Sequence, residues 1–116
     1  RVMELTPAIA KATAGSSELE LLKLTGRLEK DKEALDGVLT GLILLFRDAL
    51  ARRCGEDSRL STSPEMAEEL AKSLTRSQLM ELIGTVEGLQ YARLRNMNQT
   101  LFLTLLCARL RRAAGR

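Results

Sequence analysis

The chain has 116 residues, with 18 Lys plus Arg against 15 Asp plus Glu, 45% apolar residues, 3% aromatic residues and neither His nor Trp. That length sets one domain with its own core, and charge interspersed among the apolar residues fits a globular protein, not a disordered or fibrous one. The missing histidines remove the commonest general base and the commonest metal ligand, which excludes hydrolase triads and His-based zinc sites.

Leu, Ala, Glu, Lys and Arg dominate, only two prolines occur, and no stretch alternates as a strand does, so the expected class is all-α. The first segment, Val2 to about Thr13, places Val2, Leu5, Ile9 and Ala12 on one stripe; Pro7 kinks it if it lies beyond the first turn, and Gly15 ends it. Ser17 and Glu20 form a capping-box pattern that starts a second helix, with Leu19, Leu22 and Leu28 as its expected inner face. The polar stretch from Glu29 to Lys32 is either its frayed end or the join to the next element.

From Glu33, the positions Leu35, Val38, Leu39, Leu42, Leu45, Phe46, Ala49 and Leu50 repeat at helical spacing for about four turns. Ile43 and Leu44 add apolar surface beyond that stripe, so this central helix is expected to be covered on more than one side. Gly37 and Gly41 either admit a close neighbour or are tolerated at about 1 kcal/mol each. Arg52 and Arg53 suit the negative dipole end, and Gly55 suits a left-handed cap. Residues 56 to 63 read as a loop whose single apolar side chain, Leu60, is expected to tuck onto the core.

Ser63, Pro64 and Glu65 read as N-cap, first helical position and acidic first turn of a short helix running to about Leu74. Thr75 with Gln78 is a second capping box, and Leu79, Leu82, Ile83, Val86 and Leu89 carry the next helix to about Arg95. Asn96 is placed at the end of that helix and Asn98 at the cap of the last one, which turns Leu101, Phe102, Leu105, Leu106 and Leu110 inward. The sum is an irregular antiparallel bundle of five to six helices, two of them short, spanning residues 1 to 116.

Little in the chain carries chemistry. Cys54 and Cys107 stand 53 positions apart without a CxxC, and are expected to be reduced, intracellular and structural. The carboxylate pairs Glu68/Glu69 and Glu18/Glu20 lie in or near first helical turns, where solvation and the dipole explain them. Neither GxxxxGK[ST] nor GxGxxG is present, so no catalytic residue, cofactor site or metal site is expected. The longest apolar run, Leu42 to Phe46, is far below the roughly 20 residues that span a bilayer, and no membrane partner is expected. The chain opens on Arg1 without a leader, which carries the expectation of a cytoplasmic protein preceded by a missing N-terminal domain.

Charge is uneven. Residues 1 to 87 hold 12 basic and 15 acidic groups, net −3, whereas residues 88 to 116 hold 6 and 0, net +6. Arg93, Arg95, Arg109, Arg111, Arg112 and Arg116 either contact phosphates, pair with acidic residues of a neighbouring subunit, or form a solvated dipole-favoured end. One Tyr and two Phe are too few for a base-stacking platform.

The run LMELIGTVEGLQYARLRNMNQTLFLTLLCARL, Leu79 to Leu110, resembles the last two helices of the C-terminal collar domain of bacterial DNA polymerase III clamp-loader subunits, with delta-prime nearer than gamma or tau. The similarity lies in a Leu-rich helix with an alanine near its end, the Asn96 and Asn98 corner, and a Leu-rich terminal helix. LEKDKEALDGVLTGLILLFRDALARRCG, Leu28 to Gly55, is similar to the long collar helix, whose Arg-Asp pair falls here as Arg47 and Asp48. Thr104 departs from the pattern, standing where that family is often acidic.

The resemblance implies a non-catalytic oligomerisation domain. Five such collars close a ring that keeps upstream AAA+ modules in order while ATP drives loading of a sliding clamp onto primed DNA. The implied partners are gamma or tau and delta through their collars, and clamp and DNA through the full assembly; no small-molecule substrate and no cofactor are implied for this segment. Exposed leucines of the long helix and the terminal arginines are expected to touch adjacent collars. Asn96, Asn98, Ser63 and Thr75 are expected as caps and corner, and Arg47 with Asp48 as a charge pair. The alternative is a basic helical nucleic-acid-binding module using the same arginines.

Overall fold

A computed structural model describes residues 1–95 and 98–116. Among them lie six helices, α1 Val2–Ala14, α2 Glu18–Gly26, α3 Lys32–Arg53, α4 Pro64–Ser73, α5 Arg76–Arg93 and α6 Gln99–Ala113. The all-α bundle expected from composition and periodicity is what the chain forms.

α3 is the axis. Its 22 residues span about 33 Å, most of the 40 Å long dimension of the molecule, and α1, α4 and α5 pack around it. Leu35, Val38, Leu39, Leu42, Leu45, Phe46 and Ala49 are buried, and Ile43 is buried beside them, so the helix is covered on more than one side. Both of its ends are closed locally. Asp31, in the stretch read as a join, accepts from the Ala34 N–H at 3.0 Å. At the other end Gly55 takes φ 86°, the Glu56 N–H donates to Ala51 O and the Gly55 N–H to Arg52 O, the pattern of a Schellman cap.

Pairings across the bundle set the directions. Arg47 meets Glu87, Thr40 meets Gln90 and Asp36 meets Arg93, so α3 and α5 are antiparallel. Thr25 with Cys107 and Glu29 with Thr100 make α2 and α6 antiparallel as well. α1 and α3, however, run parallel, because the short α2 reverses the chain between them. Here Gly37 and Gly41 have a use: a Cβ at Gly37 would lie 3.1 Å from Val2 Cγ2, and one at Gly41 3.0 Å from Thr6 Cγ2. The two glycines let α1 lie against α3.

α1 runs through Pro7 as one helix, which leaves the Met3 carbonyl without its i+4 donor. Three local expectations are corrected. α2 turns Leu21, Thr25 and, just past its end, Leu28 inward, whereas Leu19 and Leu22 are exposed. With leucines around the whole helix its periodicity does not choose a face, and docking on α1 and α6 does. Leu60 is exposed; its backbone holds the loop while its side chain points out. Leu101 is exposed too, and α6 buries Phe102, Leu103, Leu106, Cys107 and Leu110 instead.

Candidate functional site

The arginines of the basic end divide by what their helices place beside them. Arg93, in the last turn of α5, is only 14% exposed at its side chain. It donates to Asp36 Oδ1 at 2.7 Å, Gln99 Oε1 at 3.0 Å and Lys32 O at 3.3 Å, and its guanidinium lies 5.4 Å from the Phe102 ring centroid. A guanidinium satisfied on three sides and stacked on an aromatic ring is an internal clasp of α3, α5 and α6. Arg111 donates to Gly15 O, and Arg116 Nε donates to Ala14 O at 3.0 Å. Both therefore answer carbonyls left open at the C-terminal end of α1, where positive charge is favoured.

Arg95, Arg109 and Arg112 are exposed and make no ion pair among the described residues. Arg109 and Arg112, one turn apart on α6, line a groove with Glu81 and Thr85 of α5. Half of the expected basic surface is thus spent on the fold, and half faces out.

Arg47 and Asp48 are not a pair. Arg47 reaches across to Glu87 at 2.9 Å on the surface. Asp48 is fully buried and takes three hydrogen bonds from the following loop, from Ser58 Oγ at 2.7 Å, Leu60 N–H at 2.8 Å and Ser61 N–H at 2.7 Å. Burial pushes its carboxyl up, but the Ser58 hydroxyl and the Ser61 and Leu60 amides outweigh that and hold it below its ordinary value. Neighbours in sequence point to different elements because successive helix positions lie about 100° apart.

The caps are resolved one by one. Thr75 accepts from Gln78 N–H at 3.1 Å while Gln78 Oε1 accepts from Thr75 N–H at 2.8 Å, a complete capping box. Asn98 accepts from Leu101 N–H at 3.0 Å. Ser63 sits at the N-cap of α4 but its side chain makes no cap bond. Asn96 lies outside the described residues.

No leucine of α3 is an exposed one, so the long helix does not present the apolar contacts expected of it. Four large apolar side chains on α5, just past its end or on α6 face outward, Leu94 at 81% exposed, Tyr91 at 68%, Leu101 at 59% and Met80 at 58%, while Met3, Leu19, Leu22 and Leu60 are exposed elsewhere. Tyr91 and Leu94 border a polar groove with Asp36, Thr40, Glu87 and Gln90, in which Asp36 is paired with Arg93, Glu87 with Arg47, and Gln90 donates to Thr40. The signal for Tyr91 was available in the sequence, since it falls opposite the α5 stripe; for Leu101 it was not.

Among the described residues no cluster of three Cys, Asp or Glu side chains is placed to hold a metal ion, and no helix is long and apolar enough to cross a membrane. In comparison with known proteins, the chain matches no protein-family model, no curated protein and no solved structure.

Proposed function

We propose that the chain is a non-catalytic oligomerisation domain, the collar of a delta-prime-type subunit of a bacterial, cytoplasmic DNA polymerase III clamp loader. The observation that carries the reading is the exposure of Tyr91 and Leu94, which border one groove at the end of α5, and of Leu101 in the first turn of α6. Large apolar side chains left in water suit lateral packing against other subunits. The two motif runs support it further, because Leu28 to Gly55 falls on α3 and Leu79 to Leu110 on α5 and α6. In this reading the partners are gamma or tau and delta collars, the clamp and primed DNA are reached only through the assembly, and upstream AAA+ modules hold the nucleotide.

Co-expression with gamma and delta subunits, read by the mass of the purified complex, tests the proposal. The chain is expected in the pentamer, and Leu94→Glu with Arg112→Glu is expected to expel it. A chain that never co-purifies overturns the reading. Arg111, by contrast, serves the fold through its contact with Gly15.

A second reading, direct binding of nucleic acid, is favoured by the exposure of Arg95, Arg109 and Arg112. Three phosphate contacts limit the logarithmic salt slope on duplex to about −2.7. Absence of binding at low salt removes this reading.

A further inference from the structure

α5 has a second face that nothing among the described residues covers. Leu79, Leu82, Val86 and Leu89 are buried on one side, while Met80, Gly84, Gly88 and Tyr91 share the opposite side. Met80 and Tyr91 are large apolar side chains left in water at its two ends. Between them, a Cβ at Gly84 or Gly88 would meet nothing within 4 Å, in contrast to Gly37 and Gly41. Neither glycine is required by packing within the chain, although each weakens the helix relative to alanine.

Charge identifies what fits this face. Glu81 flanks it on the α6 side and Arg95 lies just beyond its end on the same flank; both are exposed and neither is ion-paired among the described residues. A two-fold axis relating antiparallel helices brings the same flank of each together. With Gly84 of one copy against Gly88 of the other, Met80 falls beside Tyr91 of the other copy, a sulfur–aromatic contact. Glu81 of each copy then stands about one helical turn from Arg95 of the other, within the reach of an arginine. The opposite charges meet twice, in a groove that Arg109 and Arg112 of the same copy also line beside Glu81. Like charges meet near the axis as well, where each Glu87 faces its copy while bound to Arg47.

We propose that the outward face of α5 binds a second copy of this chain, the two helices antiparallel about an axis midway between Gly84 and Gly88. The face shares Tyr91 with the surface of the clamp-loader reading, but it requires no other protein, so self-association of the chain alone and entry into the pentamer are read by separate experiments. Sedimentation of the chain alone from about 10 µM to about 1 mM spans the affinities of a small interface. The expected result is a concentration-dependent rise from 12.8 kDa to twice that mass. Gly84→Leu is expected to abolish the dimer while raising the Tm of the monomer by about 4 °C, because the helix gains propensity and nothing inside clashes. Glu81→Arg is expected to weaken the dimer at least tenfold, and adding Arg95→Glu to restore it. A wild-type chain that stays monomeric, a dimer that survives Gly84→Leu, or a charge swap that fails to rescue overturns the proposal.

Discussion

Asp48 is the residue on which the 56–63 loop depends. It is the one buried carboxylate among the described residues, and it replaces water with one hydroxyl and two backbone donors. Asp48→Asn keeps the shape but turns an NH2 group toward donors, leaving buried groups unmatched at a cost of about 1–3 kcal/mol at pH 7. The sign of the pH dependence follows from the lowered carboxyl. Its stabilisation is complete above the unfolded value near 3.8 and is lost as pH falls through the lower folded value. Urea midpoints measured from about pH 5 downward are expected to fall more steeply for the wild type than for Asp48→Asn. Equal slopes would show that the clamp carries no linked proton. The resemblance pairs Asp48 with Arg47; only the returning loop reveals its partners.

At the scale of the element, helix ends were legible and helix faces only partly so. Thr75 and Gln78 satisfy each other within four residues of chain, so the box is written locally. Ser63 offers the same chemistry, yet its hydroxyl makes no cap bond to α4. Thermal or urea unfolding is therefore expected to show Thr75→Ala costing about 1 kcal/mol and Ser63→Ala only a few tenths. A Ser63→Ala loss as large as that of Thr75→Ala would contradict the assigned caps. Faces behave differently. α3 and α5 bury the stripes that their periodicity marks, α3 with Ile43 besides, whereas α2 has leucines at 19, 21, 22, 24 and 28 and several stripes compete. Burying a leucine is worth about 1.5–3 kcal/mol, so whichever side meets α1 and α6 wins over weak local preference.

For the whole molecule, the terminal helix acts as a strap. Arg111 and Arg116 hold the end of α1, Gln99 donates to Leu28 O at 3.1 Å, and Cys107 packs against Thr25 at 3.0 Å, so residues far apart in sequence close the bundle. Burial pushes the Cys107 thiol up despite the Thr25 contact, while Cys54 is exposed at the cap of α3. A thiol reagent is expected to label Cys54 in the folded protein at once and Cys107 only at the rate of unfolding of α6. Rapid modification of both would mean that α6 detaches readily and that the strap does not hold. Arg111→Ala with Arg116→Ala is expected to accelerate labelling of Cys107 while leaving that of Cys54 unchanged.

The amino-acid sequence by itself determined that this chain is helical, where most of its helices begin and end, and which stripe of α3 and α5 is core. Each of those rests on groups within about four residues of one another, where hydrogen bonding and periodicity act without knowledge of the fold. The tertiary structure alone decided which side of α2 is buried, that α1 runs parallel to α3 over two glycines, that Leu60 and Leu101 face water, and that Arg93, Arg111 and Arg116 serve the fold while Arg109 and Arg112 remain outside. Those outcomes depend on steric fit and charge between segments 10 to 100 residues apart, and such contacts exist only once the helices have docked.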